Sequence, residues 1–175
     1  MALRLLGAVI AGGKGRRFGA DKALALHDGK PLIEHAVTAL GPQVDAMVLC
    51  GRDWNAMERV DDRPEPGLGP MGGINAALHL AAERGFDAVI TVPVDVLPLP
   101  ADLRAMLAGA GAAAFADQHL IAFWPVESLA TVEDYIAGGG RRIVGALDLI
   151  GARRVTDPPG LVNINRPQDM NRFST

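Results

Sequence analysis

One cysteine in 175 residues, Cys50, leaves no pair for an internal disulfide and no thiolate set for a zinc site. That usage fits a reducing compartment. Aromatics make up only 5% of a chain that is 49% hydrophobic, so the core must be built from Ala, Val, Leu and Ile. Positive charge is not in excess: 17 Lys and Arg face 20 Asp and Glu, for a net charge of −3. A dedicated nucleic-acid binder would need a broad cationic surface, and this balance does not supply one. No apolar run approaches the roughly 20 residues that span a bilayer. Residues 3–11 are apolar apart from Arg4, but they lead straight into glycines and lack the flanks of a signal peptide. They predict a buried strand, with no membrane association and the cytoplasm as the location.

What is abundant is glycine and proline, 21 and 12 residues scattered between apolar segments. Apolar spacings of three and four predict a helix over 31–40, with Pro31 in its first turn. Strands are expected over 44–50, 88–92, 112–116, 120–124 and 161–164. Further helices are expected over 71–83, 101–108, 127–137 and 143–149, and Pro167 opens a short C-terminal one. Residues 61–70 hold three prolines and two glycines and can only be a loop. Strand and helix alternate through most of the chain, which predicts one α/β domain over 1–175 with a mostly parallel sheet. Ligands on such sheets bind beyond the carboxyl ends of the strands.

Four segments stand out there. Residues 11–22 carry Gly12, Gly13, Gly15 and Gly19 together with Lys14, Arg16, Arg17 and Lys22. Glycines let backbone N–H groups close on an anion, and Arg and Lys grip phosphate oxygens. The dinucleotide fingerprint is absent, because Phe18 stands where its third glycine belongs. The P-loop is absent too, because Lys14 is followed by Gly15. In Val92-Pro93-Val94-Asp95, a carboxylate at an apolar strand end needs a partner or a cation. A helix cap is the ordinary alternative, but Asp102 lies closer to the next helix and can serve there. The turn from Gly67 to Gly73 opens a helix and offers free N–H groups to an anion or a base edge. Asn163 and Asn165 are expected on one face of a strand end. His27, His35 and His79 lack metal-ligand spacing, and Cys50, Ser128 and Ser174 have no catalytic neighbours in sequence.

In this order and at these intervals the four segments resemble the nucleotidyltransferase superfamily with a Rossmann-like sheet, and within it the molybdenum cofactor guanylyltransferases. The matching residues are Ile10-Ala11-Gly12-Gly13, Arg17-Phe18-Gly19, Asp21-Lys22, Gly69-Pro70-Met71-Gly72-Gly73, Pro93-Val94-Asp95, Gly140-Arg141-Arg142, and Asn163, Asn165, Pro167 and Asp169. Cys50 departs from an Asn common in the family, and Phe18 replaces a Met. Residues 118–120 depart from a His/Gln-Pro pattern.

The resemblance implies a three-layer α/β/α fold, GTP and molybdopterin as substrates, and Mg²⁺ as cofactor. Recipient molybdoenzymes and other cofactor-biosynthesis proteins are the further partners it implies. It also implies nucleotide contacts at Ile10, Ala11, Gly12, Gly13 and Gly15, and at Asp62, Gly69 and Gly72. Lys22 would hold the phosphates and Asp95 the metal. Lys22, Arg17 and Asp95 would be catalytic, while Arg141, Arg142, Asn163 and Asn165 would lie on the acceptor side. A cytidylyltransferase or other nucleotide transferase is the nearest rival, although close cytidylyl relatives carry Pro-Lys where this chain has Asp21-Lys22. A non-catalytic nucleotide-binding adapter is the rival of another class, but it would not need both Lys22 and Asp95.

Overall fold

The computed structural model describes residues 2–12 and 21–173. In chain order the regular elements are β1 (Leu5–Ile10), β2 (Leu26–His27), β3 (Lys30–Pro31), α1 (Leu32–Leu40), β4 (Ala46–Cys50), β5 (Arg59–Val60), α2 (Pro70–Glu83) and β6 (Ala88–Pro93). They continue with β7 (Val96–Leu97), α3 (Leu103–Leu107), β8 (Ala113–Phe115), β9 (Ala122–Pro125), α4 (Leu129–Ala137), α5 (Ile143–Leu149), β10 (Arg153–Val155) and β11 (Val162–Asn163). Short 3₁₀ turns occupy Lys22–Leu24, Gly41–Gln43, Val126–Ser128 and Pro167–Phe173.

Seven strands form one sheet in the order β10-β8-β9-β6-β1-β4-β5. All its pairings are parallel except those of β9, which runs against β6 and β8. The central strands are apolar on both faces because both faces are covered. Along β1, Leu5 and Val9 pack into a cluster with Ile33 and Leu40 of α1 and Leu103 of α3. The alternate residues Leu6, Ala8 and Ile10 join a cluster with Ile74 and Leu78 of α2, Val132 of α4 and Leu147 of α5. The period-two alternation of a strand thus divides one apolar run between two helical layers. The three-layer α/β/α architecture follows.

Three expectations need correction. The sheet edges, β10 and β5, were not expected, because Arg153-Arg154-Val155 and Arg59-Val60 carry too little apolar character to read as strands. Short, charged strands are the usual way to protect an open edge. The strand expected over 161–164 shrinks to β11 and pairs antiparallel with β7 in a separate ribbon, outside the main sheet. Asp102 makes no side-chain cap for α3. Instead Gln43, 61 residues away in sequence, accepts from the Arg104 N–H at 2.9 Å through its Oε1.

Candidate active site

The carboxyl ends of β1, β4 and β6 lie side by side, with Ile10 in register with Cys50 on one flank and Pro93 on the other. Two cavities open above them and share Ile10 and Gly12 as a common wall.

The smaller cavity, about 280 Å³, is lined by Lys22, Asp95, Ala11 and Pro70 among others. Lys22 stands at the start of a 3₁₀ turn that Asp21 caps by accepting the Ala23 N–H at 3.2 Å. Its Nζ meets Asp95 Oδ2 at 2.9 Å, with both side chains mostly buried. Asp95 sits in the bend between β6 and β7. Its carbonyl accepts the Ile164 N–H at 2.6 Å, and the β7–β11 pairing sets Asn163 opposite Val96. The ribbon therefore fixes the backbone that carries the carboxylate. Asn163 Oδ1 is buried next to this bend with no hydrogen-bond partner.

The larger cavity, about 700 Å³, is lined by Asp62, Gly67, Gly69, Gly73, Cys50 and Gly51 with others. Asp62 accepts the backbone N–H groups of Gly67 and Leu68, yet burial, the larger influence, pushes its carboxyl above the usual range. A Cβ on Gly72 would lie 2.7 Å from Asp62 Cγ, so glycine is required there for α2 to pass close to that carboxylate. Gly51 has φ +83° and presses on Gly12, where an added Cβ would come to 2.8 Å of its Cα. Burial, helped by the Asp62 charge, pushes the Cys50 thiol up to about 12. At neutral pH it is a packed apolar group with no nucleophilic character.

The structure thus brings together Ile10, Ala11, Gly12, Lys22, Asp62, Gly69 and Asp95 around two adjoining cavities, with Gly72 backing Asp62. The expected contacts at Gly13, Gly15 and Arg17 lie outside the described residues. Asn163 is beside the Asp95 bend, whereas Asn165 falls beyond β11, is exposed, and donates its N–H to Asp169 at 2.9 Å. The expectation that both Asn side chains share a strand face therefore does not hold, because the strand ends at Asn163. Arg141 and Arg142 lie in the turn between α4 and α5, on the α2 side of the sheet. Arg141 donates to the carbonyls of Ile136 and Gly140, and neither arginine lines the two cavities.

One participant was missed. Arg52, just after β4, forks onto both carboxylate oxygens of Asp21, with Nη1 to Oδ1 at 2.8 Å. The guanidinium holds that carboxyl below its usual range. No local pattern could have paired residues 31 positions apart.

Residues 7–150 match the MobA-like NTP transferase domain. The chain belongs to this family. It is 38% identical to a molybdenum cofactor guanylyltransferase of Rhodobacter capsulatus, and the alignment covers 97% of this chain and 95% of the other. An equally extensive match at 35% identity has the same name in Cereibacter sphaeroides. Among solved structures, molybdopterin-guanine dinucleotide biosynthesis protein A of Archaeoglobus fulgidus superimposes with a TM-score of 0.75 at 25% identity, covering 95% of each chain. The 2-C-methyl-D-erythritol 4-phosphate cytidylyltransferase of Thermus thermophilus, at 13% identity and a TM-score of 0.70, covers 93% of this chain and 94% of its own and shares the fold. Family membership makes the chain a nucleotidyltransferase. Among the described residues no helix is long and apolar enough to cross a membrane.

Proposed function

We propose that this chain transfers GMP from GTP to molybdenum-loaded molybdopterin, forming the guanine dinucleotide cofactor and releasing pyrophosphate. The observation that carries this reading is the Lys22–Asp95 pair at 2.9 Å, set at the strand ends beside a second, glycine-lined cavity. One end has the charges for phosphates, and the other has room and backbone for a nucleoside. The names of the relatives supply the guanylyl group and the molybdenum cofactor, and the name of the Archaeoglobus fulgidus neighbour supplies molybdopterin.

Among the described residues no three His, Cys, Asp or Glu side chains gather to hold a metal. A single carboxylate fits Mg²⁺, which is commonly bound by one or two carboxylates, water and substrate phosphates. Asp95 is the residue that would hold the ion, and when bound the ion supplies charge neutralisation at the phosphate oxygens. Lys22 is already oriented by Asp95, so its ammonium is preorganised for phosphate oxygens and does not have to be recruited from solvent. Arg17 adds a second cation from the glycine-rich loop. Asp62 and Gly69 contact the guanine nucleotide from the larger cavity, with Gly72 behind Asp62. Ile10, Ala11 and Gly12 contact it from the strand end beside Lys22, and Gly13 and Gly15 are the further nucleotide contacts.

The reaction is an in-line attack on the α-phosphorus by an acceptor phosphate already ionised at pH 7, so no general base is needed. Among the described residues no histidine lines either cavity. On this reading the acceptor binds at Asn163 and Asn165 near the Asp95 bend, and Arg141 and Arg142 are its further contacts. The product would pass to recipient molybdoenzymes, with other cofactor-biosynthesis proteins as partners, in a reducing cytoplasm.

The test supplies Mg²⁺ and molybdenum-loaded molybdopterin with GTP, CTP or ATP separately and measures pyrophosphate. Release with GTP is expected. Release with CTP instead would reassign the base and keep the transfer chemistry. Tight nucleotide binding with no release from any of the three would point to another acceptor or to an adapter.

A further inference from the structure

Arg52 is not part of the wall of either cavity, yet it connects elements that are. It follows Gly51, which lines the larger cavity, packs on Gly12 and donates its N–H to Val60 of β5 at 3.0 Å. From there its guanidinium reaches Asp21 and binds it through both terminal nitrogens. Asp21 is also the cap of the turn that begins with Lys22: Oδ1 accepts the Ala23 N–H and the carbonyl accepts the Leu24 N–H at 3.1 Å. Lys22 in turn reaches Asp95. Charged contacts thus hold the turn at two points, Arg52 on the Asp21 cap and Asp95 on the Lys22 ammonium, with the backbone of residues 21 and 22 joining them.

The geometry suits holding rather than chemistry. The Arg52 side chain is 19% exposed, and two parallel bonds fix a carboxylate in both direction and plane. Arg52 Nε is buried and has no hydrogen-bond partner among the described residues, and the fork on Asp21 anchors this guanidinium. Of the other arginine–carboxylate pairs, Arg59–Asp61 sits in the wall of the larger cavity and touches no residue of the Lys22 turn, while Arg84–Glu58 and Arg154–Asp148 line neither cavity. Losing Arg52 would leave Asp21 able to cap its turn but free to swing. The turn would then no longer present Lys22 from one direction.

We propose that Arg52 is a positioning residue: by clamping Asp21 it orients the Lys22 ammonium for the nucleotide's phosphates. The inference rests on the nucleotidyl-transfer reading, but it can be tested separately from it. The experiment is a double-mutant cycle on Arg52→Ala and Lys22→Ala, with the affinity for GTP in Mg²⁺ measured by calorimetry and pyrophosphate release measured in parallel. In the native background, Arg52→Ala should weaken binding by about 5-fold and lower turnover by about 10-fold. In the Lys22→Ala background the same change should alter both by less than about 2-fold, because nothing is left for the clamp to orient. Arg52→Lys, with no fork, should recover no more than about a third of the lost turnover, and it covers the case in which Arg52→Ala fails to fold. Equal losses in both backgrounds, or full rescue by Arg52→Lys, would overturn the proposal by reducing Arg52 to a general stabiliser. If the native chain binds GTP but releases no pyrophosphate, the transfer reading fails and the binding cycle still decides the role of Arg52. A native chain that does not bind GTP overturns both.

Discussion

Asp95 and Asp62 stand at the two ends of one cleft and are held in opposite ways. Asp95 faces a cation 2.9 Å away and is carried on a bend pinned by the β7–β11 ribbon. Asp62 is met by the backbone N–H groups of Gly67 and Leu68 and by the bare Cα of Gly72, and burial raises its carboxyl. The first arrangement sets a carboxylate beside an amine at 2.9 Å, which suits the handling of phosphates and a metal. The second relies on close backbone approach, which suits the shape of a nucleoside. On the proposed reading the strand ends divide the work, with the Lys22–Asp95 pair for phosphates on the β6 side of β1 and close backbone approach around Asp62 for the nucleoside on the β4 side.

The sharpest way to break this comparison is to remove the charges at the first end. Asp95→Ala and Lys22→Ala should each lower turnover by roughly 10²–10³-fold, the usual loss for a preorganised charge partner. Near-normal pyrophosphate release in either variant would remove that residue from the chemistry.

At the second end the sensitive atom is a missing one. Gly72→Ala would place a methyl 2.7 Å from Asp62 Cγ and must displace the carboxylate. A binding loss of about 10-fold for GTP in Mg²⁺ is expected, with overpacking costing on the order of 1–3 kcal/mol of stability. Unchanged affinity by calorimetry would mean that Asp62 does not contact the nucleotide.

A smaller effect is expected on the acceptor side. Replacing Arg141 and Arg142 together by Ala should raise the KM for molybdopterin by about 3- to 5-fold, typical of exposed charges. Binding of GTP should stay within about 2-fold. A loss confined to nucleotide binding would move these arginines to the other substrate.

The smallest effect concerns pH and compares Asp62 with Asp21. The Arg52 guanidinium holds Asp21 below its ordinary value of 3.8. Its stabilising contribution is therefore complete above pH 3.8 and is lost as pH falls through the folded value. Burial raises Asp62 above the same ordinary value, so its contribution is present below pH 3.8 and is lost as pH rises through its folded value. Urea denaturation between pH 3 and 7 should show the stability deficit of Asp21→Asn growing with pH. Asp62→Asn should instead gain on the native chain as pH rises. Asp21 is 41% exposed, so solvent screening keeps its share small. Parallel, pH-independent differences would contradict both assignments.

Much of the layout was legible in the chain. Leu5–Ile10 and Ala88–Pro93 read as buried parallel strands because a strand covered on both faces has no polar alternation to hide it. Pro-Val-Asp read as chemistry because a carboxylate at an apolar strand end is costly without a partner, and Lys22 because it closes a cluster of glycines and cations suited to phosphate. The edge strands were not legible, since Arg153–Val155 and Arg59–Val60 carry the polarity of loops. Neither was the true cap of α3, because Gln43 approaches it from another part of the fold.

The sequence by itself determined the order of elements, the aliphatic core and the positions of the segments that carry charge and glycine, all of which follow from local periodicity and backbone sterics. Only the tertiary structure decided which of those side chains meet. Lys22 finds Asp95 across 73 residues and Arg52 finds Asp21 across 31. Ion pairs of that kind depend on the side-by-side register of β1, β4 and β6, and they leave no periodic trace in the chain that forms them.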